Sequence, residues 1–150
     1  MLSDTEQVEG LMRMKVIDLF AGCGGLSLGF RQAGCDVEQA VEFDPVIANT
    51  YQLNHPEVKM IVDDIKNIDT SGNFEGADAD IIIGGPPCQG FSMAGARIRH
   101  GFIDDPRNYL FKHYFNVVKE VMPKIFIMEN VKGMATMQDG KIFEEIQRVF

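Results

Sequence analysis

Nothing in the 150-residue sequence approaches the ~18 consecutive apolar residues that a membrane-spanning helix needs. Residues 1–14 (MLSDTEQVEGLMRM) also lack the basic start and apolar stretch of a secretory signal. Cysteine is scarce and odd in number: Cys23, Cys35 and Cys88 form no C-x-x-C pair, which argues against a disulfide framework or a zinc site and for a reducing compartment. His55, His100 and His113 show no metal-ligand spacing, so no metal site is expected. Positive charge is also short. Lys and Arg number 14 against 22 Asp and Glu, a net charge of −8. Electrostatics alone would make these residues a poor nucleic-acid binder. With 45% hydrophobic and 24% charged residues, the composition is that of one globular domain in the cytoplasm.

There is no internal repeat. A form recurs instead: a short apolar run, a Gly- or Asp-marked turn, then an amphipathic stretch. Met14–Phe20 reads as a buried strand, followed by a glycine turn at 22–25 and a helix over 26–33 that Gly34 ends. A second strand is expected over Val37–Phe43. Asp44-Pro45 then offers an N-cap acceptor and a proline at the first helical position for a helix to about residue 53. Further strands are expected at Val58–Val62, Ala79–Ile83 and Ile125–Met128. A helical apolar face runs over Asn108–Met122 until Pro123, and another over 142–150. Strands alternating with helices give an α/β class: a doubly wound, mostly parallel sheet. The sequence stops within the last apolar face, so an incomplete domain is expected: residues 1–14 as an extension and 15–150 as the body.

In such sheets ligands sit beyond the carboxyl ends of the strands. The turn Asp18-Leu19-Phe20-Ala21-Gly22-Cys23-Gly24-Gly25 lies at one such end. Glu42 closes the second strand 18 residues after Gly24, near the ~20 expected of an acid that binds ribose hydroxyls. Asp63 and Asp64 follow the third strand, where a carboxylate can accept from an adenine amino group. Together they suggest an adenosine-containing cofactor. The nicotinamide pattern G-x-G-x-x-G fails, because Ser27 stands at its third glycine. Taken alone, the turn is equally a tight strand-to-helix connection.

The fourth strand runs into Gly84-Gly85-Pro86-Pro87-Cys88-Gln89-Gly90-Phe91-Ser92. Cys23 and Cys35 read as inert packing. Cys88 does not: two prolines fix its approach to a strand end beside the cofactor turn, as a nucleophile requires. The fifth strand delivers Glu129-Asn130 at the neighbouring edge. Glu129 is either an ion-paired structural carboxylate or, if burial raises its pKa, a general acid. Beside Cys88 the acid reading is favoured. Residues 89–103 read as a lid, with Gly90, Gly95 and Gly101 as pivots and Arg97 and Arg99 as its only formal charges until Asp104. A solvated surface loop is the plainer reading.

These segments, in this order, resemble the DNA (cytosine-5) methyltransferase family from Lys15 onward. Asp18–Gly25 resembles its S-adenosylmethionine loop, Glu42 its ribose acid, Asp64-Ile65 its adenine pair, Gly85–Ser92 its nucleophile loop, Arg107–Phe111 its fifth motif and Glu129-Asn130-Val131 its sixth. The resemblance implies a Rossmann-like fold and S-adenosyl-L-methionine as cofactor. Cofactor contacts would come from Phe20, Ala21, Gly22, Cys23, Gly24, Gly25, Glu42, Phe43, Asp64, Ile65, Gly85, Pro87 and Leu110. It also implies methylation of cytosine C5 in double-stranded DNA with the target base flipped out. Cys88 would add to C6, Glu129 would protonate N3, Asn130 would hold the loop, and Gln89, Ser92, Arg97 and Arg99 would meet DNA. The setting would be bacterial, beside the nucleoid, in a restriction–modification system or in a regulatory role. The family's Gln-x-Arg-x-Arg segment, target-recognition region and final motifs have no counterpart here. A fragment or split subunit is therefore expected, inactive alone and needing a second part. A cofactor-binding remnant and an RNA cytosine-5 methyltransferase are the alternatives.

Overall fold

The computed structural model describes residues 13–68, 70–74, 77–87, 109–131 and 141–150, leaving aside the side chains of residues 70, 71, 141 and 142. Among the described residues ten elements alternate: β1 (Lys15–Leu19), α1 (Gly25–Gln32), β2 (Asp36–Glu42), α2 (Pro45–Asn54), β3 (Lys59–Val62), α3 (Thr70–Phe74), β4 (Ile81–Gly84), α4 (Leu110–Val121), β5 (Ile125–Met128) and α5 (Lys141–Val149). The five strands form one sheet in the order β3-β2-β1-β4-β5, and every pairing is parallel. The α/β, doubly wound expectation holds. After β3 the chain returns to the other side of β1. That reversal opens a crevice at the carboxyl ends of β1 and β4, where open α/β sheets bind ligands.

Strand alternation divides the core between two faces. Ile17 and Leu19 of β1, with Val41 and Ile82, pack against Ile65, Phe74 and the α4 residues Leu110, Tyr114 and Val117. Val16, Ala40, Ile81 and Ile83 face the other way, against Tyr51 of α2 and the half-buried Leu26 and Phe30 of α1. Tyr114, fully buried, donates from one hydroxyl position to the carbonyls of Ile82 (3.0 Å) and Ile127 (3.1 Å), bracing β4 and β5 from α4. Burial holds its hydroxyl pKa well above the usual phenol value.

Local chemistry sets most element ends. Asp44 caps α2, its Oδ1 accepting from the Val46 N–H at 2.8 Å and the Ile47 N–H at 3.3 Å, with Pro45 at the first helical position. Gly34, just past α1, has φ +91°, a conformation in which glycine avoids the Cβ penalty. Met122 closes α4 at φ 51°, immediately before Pro123. One element departs from the sequence reading: the short helix α3 falls where none was expected.

β5 departs in exposure. It is one of the two edge strands among the described residues, and Ile125, Phe126 and Ile127 are each more than 40% exposed. Phe150, after α5, stacks on Phe126 with centroids 4.7 Å apart, and Ile146 packs on Phe111, so α5 covers part of this region. No helix among the described residues is long and apolar enough to cross a membrane.

Candidate active site

The carboxyl ends of β1, β2 and β4 surround a cleft of about 370 Å³, a volume within the range of small-molecule sites. Its walls include Phe20 after β1, Glu42 and Phe43 at the end of β2, and Asp64 and Ile65 after β3. Gly85 and Pro87 after β4 and Leu110 of α4 complete them. All eight are among the residues named from sequence. Asp63, read from sequence beside Asp64 as a possible adenine acceptor, lines it too, as do Val41 and Lys66, which were not named; adjacency to Glu42 and Asp64 was the available signal.

Glu42 is buried, yet its carboxylate is well held. Oε2 accepts from the Gly22 N–H at 3.0 Å, and Oε1 accepts from the Asp44 N–H at 3.0 Å. Each oxygen of a carboxylate offers about two acceptor sites. One site per oxygen therefore remains, a match for the two hydroxyls of a vicinal diol. Asp64 has a different environment. Partial burial works against its charge, but the Lys66 backbone N–H (3.0 Å) and the Lys66 ammonium (3.1 Å) outweigh it and hold the carboxyl below its usual range. Phe43 is 68% exposed at the rim, an aromatic face open to a flat ring. Phe20 has φ +59°. A non-glycine residue held there stores on the order of 1–3 kcal/mol of strain, a feature that clusters at ligand sites.

The glycine loop lies beside the cleft without lining it: Ala21, Gly22, Cys23, Gly24 and Gly25 connect β1 to α1. Gly22 (φ +57°) and Gly24 (φ +90°) take left-handed conformations, which glycine adopts without steric cost. Cys23 is exposed at the loop's tip, which corrects its reading as inert packing; Cys35 is half-buried.

Beneath the loop lies a polar chain that the sequence reading missed. Asp18 is fully buried. Ser27 Oγ donates to its Oδ2 at 2.6 Å, so the neighbouring Tyr51 hydroxyl, 2.7 Å from Ser27 Oγ, donates in turn. Burial pushes the Asp18 carboxyl up to about 6; the Ser27 bonds oppose this and the Glu42 charge adds to it. Burial likewise lifts Tyr51 to about 12. The i, i+3, i+4 spacing of Tyr51, Asn54 and His55 puts them on one helical face, but nothing along the chain places that face against Ser27 and Asp18.

At the neighbouring edge Glu129 follows β5. A Cβ built on Gly85 would lie 2.9 Å from Glu129 Oε2, so the carboxylate rests against the Gly85 backbone. Glu129 is exposed, which corrects the expectation of a buried acid: it follows β5, an edge strand among the described residues that is only partly covered. Asn130 Nδ2 donates to the Pro86 carbonyl at 3.0 Å, and Asn130 Oδ1 accepts from the Val131 N–H at 2.8 Å. The segment after β5 is thereby tied to the residue two before Cys88. Cys88 itself, Gln89, Ser92, Arg97, Arg99 and the rest of the expected lid lie outside the described residues, as do Arg107 and Asn108.

A family model for C-5 cytosine-specific DNA methylases matches residues 14–150. The chain belongs to that family. It is 46% identical over 140 residues to the type II methyltransferase M.AquIA of Picosynechococcus sp., covering 90% of this chain and 55% of that protein. It is 44% identical over 142 residues to the type II methyltransferase M1.HphI of Haemophilus parahaemolyticus, covering 93% and 38%. Among solved structures, a prophage-encoded E. coli protein described as a DNA modification methyltransferase superposes with a TM-score of 0.75 at 38% identity, over 91% of this chain and 37% of that one. The S. pombe Dnmt2 methyltransferase shares the fold, with a TM-score of 0.67 at 24% identity. This methylase-family chain thus spans between about a third and about half the length of these relatives.

Proposed function

We propose that these residues are the cofactor-binding and catalytic part of a DNA cytosine-C5 methyltransferase. The observation that carries the reading is Glu42: a buried carboxylate in a 370 Å³ cleft, fixed by two backbone N–H groups with one acceptor site per oxygen left for a ribose diol. Phe43 supplies a ring for adenine to stack on, Asp64 an acceptor for its amino group, and Gly85 and Pro87 the wall leading toward Cys88. The residues present fit S-adenosylmethionine, which when bound supplies an electrophilic methyl group.

The chain's own residues prepare the cytosine. C5 of the ring is a weak nucleophile. Cys88, as thiolate, adds to C6, while Glu129 gives a proton at N3, and electron density rises at C5. After substitution a base removes the C5 proton, the Cys88–C6 bond breaks to release the thiolate, the N3 proton returns to Glu129 and the aromatic ring is restored. Asn130 positions both partners, since its amide joins the Glu129 segment to Pro86. Gln89, Ser92, Arg97 and Arg99 meet the DNA backbone and the flipped nucleotide.

We assign target reading and most phosphate contacts to residues beyond these 150, on the same polypeptide or a second chain. The net charge of −8 supports that assignment, as does the greater length of the relatives. The type II relatives favour a bacterial restriction–modification setting, in the cytoplasm beside the nucleoid.

Calorimetric titration of the chain with S-adenosylmethionine tests the cofactor reading: saturable binding is expected, and no binding at millimolar cofactor overturns it. Tritium transfer to DNA should be absent for this chain alone. With the target-recognition part supplied, 5-fluorocytosine in DNA should trap a covalent adduct that maps to Cys88 and is lost in Cys88→Ser. A trap formed only with RNA would make the substrate RNA.

A further inference from the structure

The glycine loop is held from behind by one end of a neighbouring helix. Asn54, the last residue of α2, donates from Nδ2 to the Cys23 carbonyl at 3.2 Å. His55, 2% exposed, brings Nε2 to 3.1 Å from the Gly24 carbonyl, which also accepts from the Leu28 N–H at 2.9 Å. Its other nitrogen, Nδ1, lies 2.9 Å from Arg31 Nη1. A guanidinium only donates, so Nδ1 accepts and the ring hydrogen sits on Nε2, directed at Gly24. Arg31 is itself paired with Glu57. The tautomer that the loop needs is therefore set by an ion pair on the far side of the ring.

Glycine at 24 is required by this contact as well as by its φ of +90°. A Cβ there would lie 2.4 Å from His55 Nε2 and 3.0 Å from Tyr51 Cδ2. Tyr51, its ring centroid 4.7 Å from that of His55, continues the contact to Ser27 and Asp18. Within a trans peptide the C=O and N–H point in opposite directions. Drawing the Gly24 carbonyl toward α2 thus turns the Gly25 N–H away from it, at the amino end of α1.

We propose that Asn54 and His55 are positioning residues for the cofactor loop: they hold the Cys23 and Gly24 carbonyls against α2 and so preset the loop's N–H groups for the ligand. The inference rests on the cofactor reading above for its consequence, but the clamp itself is a property of the ligand-free chain. Neither residue touches the cleft.

Three variants test it, each read by thermal melting, by amide hydrogen exchange of residues 22–25 without ligand, and by calorimetric Kd for S-adenosylmethionine. His55→Leu removes the bond to Gly24, and His55→Gln restores an N–H at the position of Nε2. Asn54→Ala removes the exposed bond to Cys23 and guards against a His55→Leu chain that does not fold. Loss of one such bond should speed loop exchange about tenfold and raise the Kd about tenfold, given a net worth near that of an ordinary hydrogen bond. His55→Gln should stay within about threefold of the parent. Folded Asn54→Ala and His55→Leu chains with parental exchange and Kd overturn the proposal. So does loop exchange that rises only in step with exchange across the whole chain, or a Gln variant as loose as the Leu variant. A parent that binds no cofactor defeats the functional reading, and loop exchange then still decides for or against the clamp.

Discussion

At the scale of single residues, the site depends on carboxylates whose surroundings differ. Glu42 is buried and answered by two backbone N–H groups, whereas Asp64 is partly open and answered by Lys66. Hydrogen bonds to a charged group are worth about 1.5–3 kcal/mol, so Glu42 should dominate cofactor affinity. Glu42→Gln keeps the shape but turns an amide donor toward either the Gly22 or the Asp44 N–H, and it offers the diol one acceptor fewer. Its Kd for S-adenosylmethionine by calorimetry should rise about 10- to 100-fold. A Kd within about twofold of the parent would show that the diol is bound elsewhere.

At the scale of elements, α2 links the cleft to the loop clamp. Asp44 caps its first turn directly after Glu42, and Tyr51, Asn54 and His55 act from its other end. Asp44→Ala frees the Val46 and Ile47 N–H groups and should cost about 1 kcal/mol. For a chain of this size that is a fall of roughly 2–4 °C in Tm. Asp44→Ser should recover most of it, and an unchanged melting curve for the alanine variant would mean the cap contributes nothing. The cap was legible in sequence because its chemistry is local, as Asp-Pro ahead of a helix is. The strands β1 to β5 were legible because apolar runs between turn residues leave few alternatives. α3 was not: Thr70-Ser71-Gly72-Asn73-Phe74 has poor helix formers and no periodic face, and its place is set by Phe74 packing into the core. The cleft walls were legible through motifs at strand ends. The clamp was not, because nothing along the chain says that His55 lies against Gly24. The exposure of Glu129 likewise depends on what covers β5, which is a matter of tertiary packing.

At the scale of the whole molecule, one group ties stability to pH. Asp18 lies in the sheet core with Oδ2 bonded to Ser27 and Oδ1 without a hydrogen-bond partner among the described residues. Burial raises its pKa from the ordinary 3.8 to about 6. The folded chain therefore holds the proton more tightly than the unfolded chain does. Its stabilising contribution is fully present below about pH 3.8 and is lost as pH rises through about 6. The size of that loss is about 3 kcal/mol by linkage, since one unit is about 1.4 kcal/mol. Other carboxylates titrate in the same interval, so the sign is best read as a difference between two chains. Asp18→Asn places an uncharged group of the same shape beneath the loop. Urea unfolding of both chains from pH 4 to pH 7.5 should show the variant gaining on the parent by roughly 2.4 kcal/mol across that interval, with most of the gain below about pH 6.5. A difference that stays flat with pH would mean that the Asp18 charge is already compensated in the folded chain. The polar chain through Ser27 and Tyr51 would then be sufficient to stabilise a buried anion under the cofactor loop.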